Sequence, residues 1–117
     1  MKKRLLILMV TLTAVLQTAW AYDFSATAPS GQTLYFDITN TSLNEVTVIY
    51  PNTNAYDING IYAGYTKPIG NLVIPATVTN NGITYSVTSI GNAAFFDCDG
   101  LTSVTIGNSV TSIGSSA

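Results

Sequence analysis

One feature constrains this 117-residue chain more than any other: a segment that repeats itself at a fixed interval. Residues 87–109 read VTSIGNAAFFDCDGLTSVTIGNS, and residues 110–117 begin the same phrase again as VTSIGSSA. Six of the eight overlapping positions are identical, and Val87/Val110, Ile90/Ile113 and Ala94/Ala117 each lie 23 residues apart. A unit of that length is one supersecondary element that cannot bury its own faces, so it is read as one layer of a stack. A half-match lies upstream, where Ile74 and Val78-Thr79 carry the relative spacing of Ile106 and Val110-Thr111. There the return to the next VTS is delayed by nine residues containing Asn81-Gly82.

The apolar spacing inside the unit predicts its geometry. Leu101, Val104 and Ile106 follow an L-x-x-L-x-L form, which places them on the inner side of a strand. Ser103 and Thr105 then point outward on the exposed strand face, with Thr102 near its edge. Ala93-Ala94-Phe95-Phe96 suits a short helical or 3₁₀ turn across from the strand, with Phe95 or Phe96 filling the core. Val87 and Ile90 fill it from the return segment.

The chain's first residues belong to a different kind of object. Lys2, Lys3 and Arg4 precede an uncharged, mostly apolar stretch from Leu5 to Leu16, followed by Gln17-Thr18-Ala19-Trp20-Ala21. Small residues at 19 and 21 complete the pattern of a secretory signal peptide cleaved after Ala21. The apolar run of twelve falls short of the roughly 20 residues a membrane span requires, so no stable span is expected after cleavage. Tyr22, where a lipoprotein would need Cys, argues against lipid attachment.

Removing residues 1–21 leaves Lys67 as the sole cation against six acids, a net charge of −5. A surface with one cation cannot neutralise a run of phosphates, so nucleic acid is excluded as a partner. Thr, Ser, Asn and Gly together supply 43 of residues 22–117. Short hydroxyl and β-branched side chains favour strands and turns over long helices.

Between the signal segment and the repeat the pattern is that of hairpins. Residues 22–32 read as a polar lead-in with a turn at Pro29-Ser30-Gly31. Thr33–Ile38 and Glu45–Tyr50 are β-branched and aromatic, separated by TNTSLN, and predict an antiparallel hairpin with Val46 and Val48 on one face. Residues 51–70 are broken by Pro, Asn and Gly and predict a surface loop, with a short hairpin around Asn59-Gly60 as the alternative. Asn71–Ile74 resumes as a strand. Val78 to Tyr85 is a hairpin whose Asn81-Gly82 turn accepts two positive φ angles.

Catalytic chemistry finds little footing. There is no His, and Cys98 is the only cysteine, so no His-dependent triad, zinc set or internal disulfide can be assembled. Asp97 and Asp99 flank the thiol and should raise its pKa, which fits a small buried core residue better than a nucleophile. Asp97-x-Asp99-Gly100 lacks the further ligands of a calcium loop and reads as a turn. No catalytic residue, cofactor site or metal site is assigned. The remaining alternative is a small secreted carbohydrate-binding β domain, with Tyr56, Tyr62 and Tyr65 of the 51–70 loop as glycan contacts. Against it, the only Trp, Trp20, leaves with the signal segment, and several tyrosines occupy strand positions suited to packing.

Residue by residue, the repeat resembles the BspA-like leucine-rich-repeat proteins of bacterial cell surfaces. The family's unit matches at Ile90-Gly91, Ala94-Phe95, Cys98, Leu101, Val104, Ile106, Ser109-Val110 and Ile113-Gly114. Gly107 departs from it, standing where the pattern prefers Pro. The resemblance is specific over residues 71–117, where LVIPATV (72–78) and the stretch from Tyr85 also match, and looser over 33–50. It implies a secreted or surface-attached, non-enzymatic interaction or adhesion protein with an extracellular host or matrix protein as partner. The expected fold is mainly β, an N-terminal β-hairpin cap running into the start of a leucine-rich-repeat solenoid. Its parts are a signal peptide (1–21), a β-rich cap (22–86) and one full repeat with the start of a second (87–117). With about three coils needed for a stable stack, the sequence is expected to be part of a longer reading frame.

Overall fold

The computed structural model describes residues 22–52 and 60–117; the expected signal peptide, Tyr56 and Asn59 lie outside them. Eight strands form: β1 (Phe24–Thr27), β2 (Thr33–Asn40), β3 (Glu45–Ile49), β4 (Gly70–Ile74), β5 (Thr77–Asn80), β6 (Ile83–Ile90), β7 (Leu101–Ile106) and β8 (Ser112–Ile113). No helix forms among the described residues, so the mainly β expectation holds. Six strands make one sheet in the order β1-β2-β3-β6-β5, with β8 also on β6, and β4 and β7 make a separate pair.

Both predicted hairpins are present. β2 and β3 pair antiparallel from Tyr35↔Ile49 to Asn40↔Glu45. Their alternation puts Leu34, Phe36, Val46 and Val48 in the core at 2% exposure or less. β5 and β6 pair across Asn80↔Ile83, and the turn residues Asn81 and Gly82 have φ of 52° and 81°. Asn and Gly are the residues for which that backbone is least strained.

The expected polar lead-in is instead an edge strand. β1 pairs with β2 from Phe24↔Phe36 to Thr27↔Thr33. Phe24 and Ala28 are buried, and the rings of Phe24 and Phe36 stack at 5.3 Å. The polar residues Ser25 and Thr27 are the outward half of a period-two pattern, a half that averages over composition conceal. The turn itself falls where expected: Ala28 N donates to Gln32 O at 2.7 Å and Gly31 N donates to Ala28 O at 2.8 Å.

Between layers the strands pair parallel. β3 runs parallel to β6 (Val48↔Ile90), β6 runs parallel to β8 (Ile90↔Ile113), and β4 runs parallel to β7 (Ile74↔Ile106). Parallel stacking therefore reaches back past β4, where the Ile74/Ile106 half-match signals it, to β3, whose sequence reads only as half of a hairpin. The Val, Thr, Ile and Gly of the repeat phrase VTSIG each have a physical role in this stack. Val87 is fully buried, and Ile90 is 3% exposed. The Thr hydroxyls hold the preceding layer, Thr88 Oγ1 donating to Val46 O at 3.5 Å and Thr111 Oγ1 to Thr88 O at 3.3 Å. Gly91 N and Gly114 N donate to Val48 O and Ile90 O at 2.8 and 2.7 Å. A side chain at Gly114 would have its Cβ 2.6 Å from Asn92 N, too close for any other residue without a shift.

The corner after β7 explains the chain's departure from the family pattern. Gly107 N donates to Ile74 O at 2.9 Å, a bond Pro cannot make. A Cβ there would lie 2.8 Å from Ala76 N. Two residues on, Ser109 Oγ lies 2.8 Å from both Ala76 O and Val87 O, so one hydroxyl serves two layers.

The stretch across from the strand is a run of turns closed by Ala94 N→Gly91 O, Phe96 N→Ala93 O and Cys98 N→Phe95 O. Positive φ at Ala93 (57°) and Asp97 (63°) keeps it from becoming a helix. Phe95 packs against the core, whereas Phe96 is 51% exposed.

Candidate functional site

The outward face of β4 and β7 is defined by their register. Paired residues of a parallel ladder share a face. Leu72↔Val104 and Ile74↔Ile106 therefore lie on the inner side, and Asn71↔Ser103 and Val73↔Thr105 on the outer. Ser103 and Thr105 stand exposed on β7. The register adds two neighbours that sequence reading left out, Asn71 and Val73. Their signal lay in the Ile74/Ile106 half-match, which already set β4 beside β7.

This row is held by its own hydrogen bonds. Thr102 Oγ1 and Ser103 Oγ both donate to Asn71 Oδ1, at 2.8 and 2.9 Å. The shared acceptor straddles a register shift between Gly70 and Asn71. No charged side chain belongs to β4 or β7. Apart from Val73 the face is built of short uncharged polar groups, and its chemistry is that of contact.

The tyrosines are divided by the structure. Tyr62 is 5% exposed, with its hydroxyl donating to Ala94 O at 2.9 Å. Burial, aided by the neighbouring Cys98, pushes its hydroxyl far above the ordinary value of 10. Its ring and hydroxyl are thus committed to a small second core with Tyr35 and Cys98. Tyr65 is 39% exposed and packs edge-on against Tyr35 (5.5 Å) and Tyr22 (6.1 Å), with Tyr22 and Tyr35 4.9 Å apart. Burial and the neighbouring Tyr65 raise the hydroxyls of both Tyr22 and Tyr35. Tyr22, adjacent to the expected cleavage point, belongs to this cluster, which sequence spacing alone did not reveal.

Cys98 is buried and unpaired. Burial is the first cause of its raised pKa; Asp99 and Asp97 add to it, while a hydrogen bond with Tyr62 and the charge of Lys67 oppose it. Among the described residues, no group of three or more His, Cys, Asp or Glu could hold a metal ion. Among those same residues, no helix is long and apolar enough to cross a membrane.

Comparison with known proteins agrees with this architecture. A family described as BspA type Leucine rich repeat region (6 copies) matches residues 76–117. No curated protein matches the chain. Among solved structures, a leucine rich cell surface protein from Faecalibacterium prausnitzii A2-165 is similar, with 29% identity and a TM-score of 0.53 over 81% of this chain. The chain spans 20% of the length of that protein. The stacked VTSIG layers and the buried Cys98 fall within residues 76–117, the part of the chain that matches the BspA-type leucine-rich-repeat model.

Proposed function

We propose that this protein is an interaction module displayed outside the cytoplasm, either secreted or at a bacterial cell surface. It engages an extracellular host or matrix protein in adhesion through the outward face of β4 and β7. The observation that carries this reading is the row Asn71, Val73, Ser103 and Thr105, set by the parallel register. Short uncharged groups on rigid strands present hydrogen-bonding atoms with little side-chain entropy to lose on contact. Support for the location comes from the layout of residues 1–21 and from the cell surface protein to which the chain is similar.

In this reading the stack continues in a longer solenoid. A further unit at the 23-residue step would cover Val104, Ile106 and Ile113, which are 39%, 41% and 56% exposed. The row of Ser103 and Thr105 then becomes one rung of a wider concave face.

The test is surface plasmon resonance against a panel of extracellular-matrix proteins, using the chain and a Ser103→Glu, Thr105→Glu double variant. A captured partner should lose at least about tenfold in affinity to the variant, roughly 1.4 kcal/mol. Equal binding by both forms, or no partner in the panel, removes the proposal.

A further inference from the structure

Lys67 is the only Lys or Arg among the described residues, which also hold five carboxylates. It makes no ion pair with any of those residues, and it stands between two clefts. On one side is a cavity of about 300 Å³ lined by Gln32, Thr33, Tyr35, Thr66 and Lys67. On the other is a smaller one of about 140 Å³, lined by Ile61, Phe96, Asp97 and Lys67. The leucine-rich-repeat reading makes no use of either.

The larger cleft has a braced wall. Gln32 Nε2 donates to Ile69 O at 2.8 Å and to Asn71 O at 3.0 Å, while Gln32 Oε1 accepts from Ser30 Oγ at 2.6 Å. Ser30 Oγ in turn accepts from Val73 N at 2.8 Å. These side chains occupy the free edge of β4, so an extended peptide cannot add to it as a strand. Tyr35, which lines the same cleft, is fixed by edge-on ring contacts with Tyr22 and Tyr65.

Inside this braced frame, the hydroxyls of Thr33, Tyr35 and Thr66 and the ammonium of Lys67 make no hydrogen bond with another described residue. Tyr35 is only 7% exposed, yet no buried side-chain polar atom among the described residues lacks a partner. What remains exposed of Tyr35 therefore includes its hydroxyl. Three residues whose hydroxyls can donate or accept, plus one cation, line a volume that fits a single sugar ring. Beyond Lys67, the half-exposed ring of Phe96 offers the apolar face against which a second ring's C–H groups pack.

We propose that the two clefts bind two adjoining units of a carboxylate-bearing glycan, a uronic or sialic acid type sugar with its carboxylate on Lys67. The lone cation selects one carboxylate. A polysulfated chain needs several cations and is repelled by the five acids. The hydroxyls of Thr33, Tyr35 and Thr66 take the hydroxyls of the acidic unit, and Phe96 with Ile61 takes the neighbouring ring. The residues lining the two clefts are none of those in the Asn71, Val73, Ser103 and Thr105 row, so the failure of one proposal is distinguishable from the failure of the other.

The test is titration calorimetry with glucuronic acid, a glucuronate-containing disaccharide, a sialylated trisaccharide, their neutral counterparts, heparin and a Glu-rich peptide. One acidic oligosaccharide should bind, the free monosaccharide more weakly, and the neutral sugars, heparin and peptide not at all. Lys67→Gln should lower affinity at least tenfold and Lys67→Arg should retain most of it. Phe96→Ser should bring the oligosaccharide down to the monosaccharide's affinity. Lys67 is exposed and bonds to no described neighbour, so a preserved circular dichroism melt will show that these variants fold. The Ser103→Glu, Thr105→Glu variant should bind the sugar normally. Binding unchanged by Lys67→Gln, equal binding of neutral sugars, preference for the peptide or heparin, or no acidic sugar bound would each overturn the proposal.

Discussion

The same repeat positions have opposite surroundings at the two ends of the stack. Leu72 and Ile74 on β4 are fully buried, whereas their ladder partners Val104 and Ile106 on β7 are 39% and 41% exposed. Ile90 is 3% exposed and Ile113, one unit later, is 56% exposed. The residue types are nearly identical and the backbone pairing is shared. Only the neighbour differs: β1, β2 and β3 with their aromatic residues cover one end, and among the described residues no strand covers Val104, Ile106 and Ile113 at the other. In a stack, a side chain's contribution belongs to the interface between layers, and the identity of the residue alone does not set it.

Alanine substitution measures that difference directly. Ile74→Ala should cost about 2–5 kcal/mol in urea denaturation, the range for emptying a filled core site. Ile106→Ala should cost less than about 1 kcal/mol, since the site is open to water on one side. Equal losses would mean that the open edge is covered in solution, by a second copy or by a rearranged segment. The next largest effect comes from the corner that ties the two ends together. Gly107→Pro restores the family's preferred residue, yet it deletes the hydrogen bond to Ile74 O and places Cβ against Ala76 N. A loss of about 1–3 kcal/mol is expected from the unpaired carbonyl and the crowding. An unchanged or raised denaturation midpoint would show that the corner relaxes freely and that the layers are less tightly coupled than the geometry implies.

These two ends were also unequally legible in the sequence. The repeat at 87–117 announces its spacing through identity, and both hairpins announce themselves through alternation and the Asn81-Gly82 turn. The parallel role of β3 does not show, because its partner lies 42 residues away at Ile90 and Val48 carries none of the VTSIG phrase except its apolar character. β1 was hidden by its polar outward half. The outer row of Ser103 and Thr105 followed from strand periodicity, but Asn71 as the shared acceptor for Thr102 and Ser103 required the register shift to be seen. The Lys67 clefts were invisible for a related reason. Thr33 and Tyr35 on β2 meet Thr66 and Lys67 from the distant 60–69 segment, and no local pattern encodes that meeting.

The smallest expected effect is a pH dependence confined to the closed end. Asp37 on β2 has its carboxyl raised above the usual aspartate value, by burial first and by the charge of Asp23 second, with a hydrogen bond from Asp23 N (3.1 Å) working the other way. Asp23 itself is held by Ile38 N at 2.8 Å. A carboxyl that binds its proton more tightly when folded favours the native state below its folded pKa. That contribution is fully present once the pH falls below the unfolded value of about 3.9, and it is lost as pH rises through the raised folded value. Asp37 should therefore make the chain slightly more stable in mild acid than at pH 7, and Asp37→Asn should flatten that part of the profile. The slope is best read from urea midpoints taken across the acid range at fixed salt, because the group is partly exposed and screened. β7 and β8 at the open end contain no acids, so Ile106→Ala should shift the whole profile without changing its shape. A slope that survives in Asp37→Asn would assign the titration to another carboxylate and remove this distinction between the two ends.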